Sequence, residues 1–544
     1  MKPSCSGIGA CRPGTSHWGL RFWTKRVTWG LHRTCCIAMN DPVLHLDGSA
    51  LDLGGLYRAA HGTPRIALSQ SGLDAMAASH AMVQQAIRGK VPVYGVTTGL
   101  GARSTEVLDD KALADFSVQT LRGRAHAIGP EECREIIRAG MIVRLNTLLC
   151  GYSGARPELA LHLAKCLEAD LTPVCGQIGS IGAADLILNA TVGLALIGEG
   201  QMRDSSGAVG PSSEMMAGQG IPVFVLAPRE GLALANHTGA VGGAAALAVH
   251  EAQIAFQAAQ TAGALSVEGF RANLGPLDAA ILAVKPHPGQ LKAAAGLRDR
   301  LAGSVLADTT QARRLQDPLS FRNVVQIHGT TQSALDQAAA SIEIEINSAS
   351  DNPVALVETG KILSSGAYFT SEISSVVETL SRSFVALAFA QLARVSKMLN
   401  PVFSELPSFL AKPNSASNGF APVMKPAEAL VMELAHQAQP VPIWPSVNAN
   451  GVEDCMTGSP AAVKALMQVV DRLRRLTAIE MLVAGQAVAL RECEPGVAPY
   501  LNTVLGQVRS LSRAFEQDRP LGGDIEALAD HIRDRGLGVF EVMD

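Results

Sequence analysis

Gly179-Ser180-Ile181-Gly182-Ala183-Ala184-Asp185-Leu186 is a run of small residues lodged between apolar stretches, residues 130–150 and 191–198. The stretches on either side have helical spacing. The run itself is a tight joint at which backbone comes close to something else. Past a second joint at Gly231 the chain reads as nearly all helical. Residues 240–270 are one Ala-rich apolar run, residues 367–400 contain no Gly or Pro, and residues 463–491 form a third long stretch. Such lengths exceed the ordinary globular helix. A long helix needs long neighbours to cover its apolar stripe. The expected fold is all-α, a central bundle of long helices whose joints carry the motifs. It divides into an N-terminal active-site domain over residues 39–230 and a bundle domain over 231–544 with a polar helical tail.

Composition excludes several classes of function. Apolar residues make up 47% of the 544 and charged residues 17%, enough for an ordered core and too little charge for a disordered chain. Aromatics are scarce at 4%, so the helices must pack through Ala, Leu and Gly. A formal net charge of −4 provides no basic footprint for nucleic acid, and Arg313-Arg314 and Arg472, Arg474 and Arg475 read as solvated faces or subunit contacts. The ten cysteines include no CxxC and no His at metal spacing, so no metal site is expected; buried free thiols fit a reducing cytoplasm. Charges or prolines interrupt every apolar run, so no membrane span is expected. HExxH, the Walker loop and a strand-borne GxGxxG are absent. Residues 1–38 carry six Lys and Arg, no acid and three of the four tryptophans. They read as a disordered extension upstream of Met39, or as a basic, acid-poor targeting segment.

Other joints complete the pattern. Val93-Tyr94-Gly95-Val96-Thr97-Thr98-Gly99-Leu100-Gly101 is a glycine-rich loop with a Tyr at its head, which a structural turn would not require. Arg122-Gly123-Arg124-Ala125-His126 ends a helical stretch, where a lone His is ordinarily a cap or a core residue. Arg229-Glu230-Gly231-Leu232-Ala233-Leu234-Ala235-Asn236-His237-Thr238 and Gln316-Asp317-Pro318-Leu319-Ser320-Phe321-Arg322 precede long helices. Lys425-Pro426 opens a helix with Pro at its tolerated first turn, and Glu433 and Glu453 follow.

Together these segments resemble the histidine and aromatic amino acid ammonia-lyases over nearly all of residues 45–500. The resemblance implies the all-α ammonia-lyase/fumarase-like fold and a homotetramer whose active sites combine motifs from several subunits. It implies Tyr94 as the base and Asn236 and Arg322 as substrate contacts, with Arg322 clamping the carboxylate. His126 matches a substrate-facing His, and Glu433 and Glu453 match active-site acids. The departures are as informative. The family's Ala-Ser-Gly, which cyclises to methylidene-imidazolone, is represented by Ala183-Ala184 before Asp185, one residue shorter. The family's catalytic Tyr is Leu319, an Asn of the Tyr94 loop is Thr97, and a Gly is His237. Arg122 and Arg124 make this pocket more cationic.

Forming the electrophile requires a Ser to dehydrate, and there is no Ser from Ile181 to Ala190. No prosthetic group is therefore expected, and Ala183, Ala184 and Asp185 become a floor to the pocket. A quaternary ammonium already carries a good neutral leaving group, so a base and a charge-organising site suffice for its elimination. The resemblance is greatest to the ergothionase-like branch, which releases trimethylamine from a histidine betaine. Lys425 would then face the imidazole-thione, and Glu453 or Glu433 a ring N–H. Two rivals are an ammonia-lyase of the usual kind, acting on histidine or an aromatic amino acid, and a non-catalytic structural or regulatory paralogue. Loss of the Ser-Gly counts against the first and against an aminomutase. Joint retention of Tyr94, Asn236, Arg322 and Glu433 counts against the second.

Overall fold

Helices dominate, and their lengths follow from which faces are covered. The structure, a computed structural model, describes residues 43–101, 106–107, 110–412, 415–491 and 496–536. Seven helices position the site: α1 Arg134–Leu148, α2 Leu186–Leu196, α3 Gly239–Phe270, α4 Val324–Ile346, α5 Ser371–Leu399, α6 Met424–Gln437 and α7 Ser459–Leu490. α3 is the axis of the bundle. It packs along α7, across α1 and against α4, while α5 lies between α4 and α7 and α6 covers α5 and α7. Residues 39–544 group as one unit. The expectations for residues 1–38 lie outside the described residues.

The scarcity of aromatics is explained where α1 and α3 cross. A Cβ on Gly243 would stand 2.6 Å from the backbone nitrogen of Gly140, so these helices meet backbone to backbone. Deeper in the bundle, Arg394 of α5 and Glu480 of α7 form a fully buried two-point ion pair, with Nε to Oε1 at 2.5 Å and Nη2 to Oε2 at 3.1 Å. Ser266 of α3 donates to the same Glu480 Oε1 at 2.7 Å, tying three helices through one carboxylate. A carboxylate in that position is tolerated only because both oxygens have charged or hydroxyl donors.

Several sequence expectations are refined. The segments Glu230–Phe270 and Ser371–Leu399 are long and apolar enough to cross a membrane, which corrects the expectation that every such run is interrupted. Their most apolar windows are 89% and 67% buried inside the protein, so other helices are what their apolar faces meet. The helix expected from Pro130 starts only at Arg134, because Ile128–Glu131 pairs as a strand with Gly176–Ile178. The Gly- and Ser-rich stretch after residue 200 is a hairpin, Gln201–Arg203 with Val209–Pro211, followed by a short helix, Ser212–Gly218. The tail forms helices Pro499–Leu511 and Gly522–Arg535. Cys455 is exposed, unlike the other described cysteines, because it sits in an irregular connection before α7.

Candidate active site

The 179–186 segment leaves strand Gly176–Ile178 and turns sharply into α2. Ala184 and Asp185 both take left-handed backbone angles, φ 65° and 48°, which cost energy for any residue with a Cβ. Two distant segments over-determine the turn. The Ile181 carbonyl accepts from the backbone N–H groups of Thr457 at 3.1 Å and Gly458 at 3.3 Å. The Gly182 carbonyl accepts from Thr370 N–H at 3.2 Å and Thr370 Oγ1 at 2.9 Å. Ala184 N–H donates to the Tyr368 carbonyl at 3.0 Å. Gly182 has φ 84°, and a Cβ there would fall 1.8 Å from Thr457 Oγ1. Gly182→Ala is therefore expected to cost about 2–4 kcal/mol of stability, read as a lowered urea midpoint. An unchanged midpoint would show that the clamp does not hold the turn.

Asp185 is buried beneath this turn. Ser180 Oγ donates to its Oδ1, and Val241 N–H, in the first turn of α3, donates to Oδ2 at 2.9 Å. Burial pushes its pKa from 3.8 up to about 6, against the pull of those two hydrogen bonds. The folded-state value lies above the unfolded one. The stabilisation from this group is thus complete below about pH 4 and is lost as the pH rises to about 6, on the order of 3 kcal/mol. Asp185→Asn is expected to remove this component, measured as the difference between the two proteins' denaturation midpoints at pH 4.5 and pH 7. Equal pH dependence in both would exclude it.

The Tyr94 loop is braced by Thr97, whose Oγ1 donates to the Val91 carbonyl at 2.7 Å and accepts from Val93 N–H at 2.8 Å. The Asn-to-Thr departure thus leaves a loop support. Tyr94 is half-buried, and its Oη accepts from Gly101 N–H at 3.2 Å, which leaves a lone pair for a substrate proton. Three further side chains share this space. Burial lowers the Arg124 pKa, and Tyr94 and Glu453 act on it in the opposite direction. Burial also raises the Tyr368 pKa, reinforced by the same two neighbours. Tyr94, Arg124, Tyr368 and Glu453 therefore form one electrostatic group, joined to the 179–186 turn through the Tyr368 backbone.

Asn236 closes another side. Its Nδ2 donates to the Asn352 carbonyl at 3.1 Å, and its amide oxygen has no protein partner among the described residues. Asn352 is itself held by Arg229, whose guanidinium also donates to the Ser153 and Pro353 carbonyls. His237 corrects the expectation that it contacts substrate. Its Nδ1 accepts from Gly239 N–H at 3.0 Å, so its Nε2 carries the proton and donates to the Leu234 carbonyl at 3.1 Å. Burial and the nearby Arg144 hold its pKa well below the ordinary value, so it stays neutral and structural. His126 is exposed, beyond the helical end that carries Arg124.

Arg322, Lys425 and Glu433 do not join this group within one chain, so a site that uses them draws them from other copies. Phe321, beside Arg322, stacks on Phe270 at 4.1 Å between centroids, at the C-terminal end of α3. Asp185 is bound at the opposite end, and the helical rise separates the two by about 44 Å. Glu433 pairs with Arg472 at 3.2 Å, while Ser459, at the start of the same α7, is 2.6 Å from Thr370 Oγ1 beside the turn. That places Glu433 about 20 Å along α7 from the turn. Val441 and Ile443, after α6, flank Gly458, so α6 runs antiparallel to α7 and the exposed Lys425 lies further away still. Leu319 is 60% exposed. Long helices carry these loops to the far end of the molecule.

Residues 51–510 match the family model described as aromatic amino acid lyase. The chain belongs to that family. It is 33% identical over 495 residues to the histidine ammonia-lyase of Stigmatella aurantiaca, covering 90% of this chain and 96% of that protein. It is 31% identical over 515 residues to the tyrosine ammonia-lyase of Cupriavidus metallidurans, with coverage of 90% and 96%. Among solved structures it resembles the ergothioneine-degrading ergothionase of Treponema denticola, with a TM-score of 0.85, 25% identity, and coverage of 91% of this chain and 100% of that one. The protein is thus a carbon–nitrogen lyase with the all-α fold of this family.

This aromatic amino acid lyase does not present the residues from which methylidene-imidazolone forms. The hydroxyl in its turn belongs to Ser180, which donates to Asp185 and accepts from Gly182 N–H at 3.1 Å. The nitrogen of Ala184 is bonded to Tyr368 and that of Asp185 starts α2, so no Gly nitrogen is placed to cyclise. Among the described residues, no His, Cys, Asp and Glu cluster is arranged to hold a metal ion. Sequence reasoning missed Tyr368 and the Thr370, Thr457 and Ser459 clamp, and noted Arg124 only as added charge. The signal for Tyr368 was its place in Gly366-Ala367-Tyr368-Phe369-Thr370, immediately before a long helix, in a chain with five tyrosines.

Proposed function

We propose that this lyase eliminates trimethylamine from a histidine betaine, ergothioneine or a close relative, without a prosthetic group and in the cytoplasm. The observation that carries the reading is the 183–185 turn, one residue short of the family segment and lacking its Ser and Gly. The likeness to ergothionase supports it. Tyr94 Oη, as the base, takes the β-proton. The C–H electron pair forms the C=C bond, and the Cα–N bond breaks to release neutral trimethylamine. Glu453 holds a ring N–H of the substrate and Asn236 orients it. Arg322 would grip the carboxylate and Lys425 balance charge on the thione, both from neighbouring copies of a homotetramer, with Glu433 a second acid from the same helix as Lys425. Such an arrangement suits guanidinium geometry and leaves each copy's turn facing a partner's loops.

The names of the sequence relatives support a second reading, ammonia release from histidine or tyrosine. Incubation with histidine, tyrosine, hercynine and ergothioneine separates the two. Trimethylamine and an acrylate absorbance from a betaine alone is the expected result. Ammonia from histidine or tyrosine, without trimethylamine from either betaine, would replace the first reading with the second.

A further inference from the structure

Tyr368 has no role in the reaction outlined above, yet its backbone is tied directly to the 183–185 turn. Its carbonyl accepts from Ala184 N–H, Phe369 bridges Ala183, and Thr370 binds the Gly182 carbonyl, so three successive residues lie along the turn. The Tyr368 side chain is half-buried, and its hydroxyl has no hydrogen-bond partner among the described residues. Its phenol lies within electrostatic reach of Tyr94 and Glu453, a second phenol and a carboxylate. Two other tyrosines are occupied: Tyr57 packs between His61 and His250, and Tyr500 bonds Thr261.

We infer that Tyr368 forms the subsite for the substrate's trimethylammonium group, its ring face receiving the cation over the floor made by Ala183 and Ala184. This rests on the proposed betaine substrate. A primary ammonium is recognised by hydrogen-bond acceptors, whereas a quaternary one has no N–H to donate and is recognised by aromatic faces and nearby negative charge. The Ala methyl groups leave room where bulkier chemistry would crowd three methyls. Burial keeps the Tyr368 phenol neutral, so it does not compete with Tyr94 as base. The contact is strongest before the C–N bond breaks, because the departing amine is neutral. It acts on ground-state binding, so its loss raises KM without lowering kcat.

The test measures KM for trimethylamine release, and Ki for tetramethylammonium and for imidazole, in wild type, Tyr368→Leu and Tyr368→Phe. Tyr368→Leu is expected to raise KM and the tetramethylammonium Ki about tenfold while leaving the imidazole Ki in place. Tyr368→Phe keeps the ring and rescues both constants. If wild type releases trimethylamine but Tyr368→Leu changes neither constant, the subsite is wrong and the functional reading stands. Equal weakening of imidazole would show a collapsed pocket and likewise overturn the subsite. A wild type that releases no trimethylamine from either betaine overturns the functional reading, and this inference with it.

Discussion

Tyr94→Phe is expected to lower kcat for elimination about a thousandfold with little change in KM, the range by which removal of a positioned general base reduces a rate. The substitution deletes one oxygen and keeps the ring. Among the described residues, that oxygen's one hydrogen bond to the protein is the 3.2 Å contact from Gly101 N–H, at the end of the same loop. The loop itself is braced independently by Thr97, so its shape survives. Steady-state rates from acrylate absorbance, with thermal denaturation as the folding control, provide the measurement. A variant with wild-type kcat would show that another group takes the β-proton, and Glu453 would be the first alternative because it shares the space.

Co-expression of Tyr94→Phe with Arg322→Leu is expected to restore activity that neither variant has alone. In one chain the two residues are fixed near opposite ends of α3, with Phe321 stacked on Phe270 and Asp185 bonded to Val241. A site using both must draw them from different copies. Each hybrid site works only if its Tyr94 copy carries the Arg lesion and its Arg322 copy carries the Tyr lesion, so random assembly returns about a quarter of wild-type activity. The measurement is specific activity of the co-purified mixture against either variant alone. No recovery, in a mixture shown by mass spectrometry to contain hybrids, would mean that Arg322 does not serve a Tyr94 site.

Periodicity and the lengths of uninterrupted apolar stretches made the bundle legible, because long helices have few other ways to cover their faces. The turn, the Tyr94 loop and Asn236 were legible as small-residue joints with one conspicuous polar group each. His237 was misread because its spacing says nothing about what its two nitrogens meet; both are taken by backbone three residues before and two after. The place of Glu433 and Lys425 within one chain was hidden for a different reason. Their separation from Glu453 in sequence is short, but α6 and α7 run antiparallel and turn that short separation into distance. Tyr368 escaped notice because its link to Ala184 is a backbone hydrogen bond across the fold, which leaves no trace in residue type.

The hydroxyl clamp on the turn bears on the history open to this protein. A point mutation can put Ser at 183 or 184, but it cannot supply the additional Gly residue. The turn has no slack for an insertion: Ile181 and Gly182 are fastened to Thr457, Gly458 and Thr370 on one side, and Asp185 to Val241 on the other. Regaining a self-made electrophile would need an added residue, a new hydroxyl and a loosened clamp together, with each step alone unsettling Asp185. On the proposed function the loss behaves as a ratchet, and descendants of this chain would be confined to substrates that bring their own leaving group.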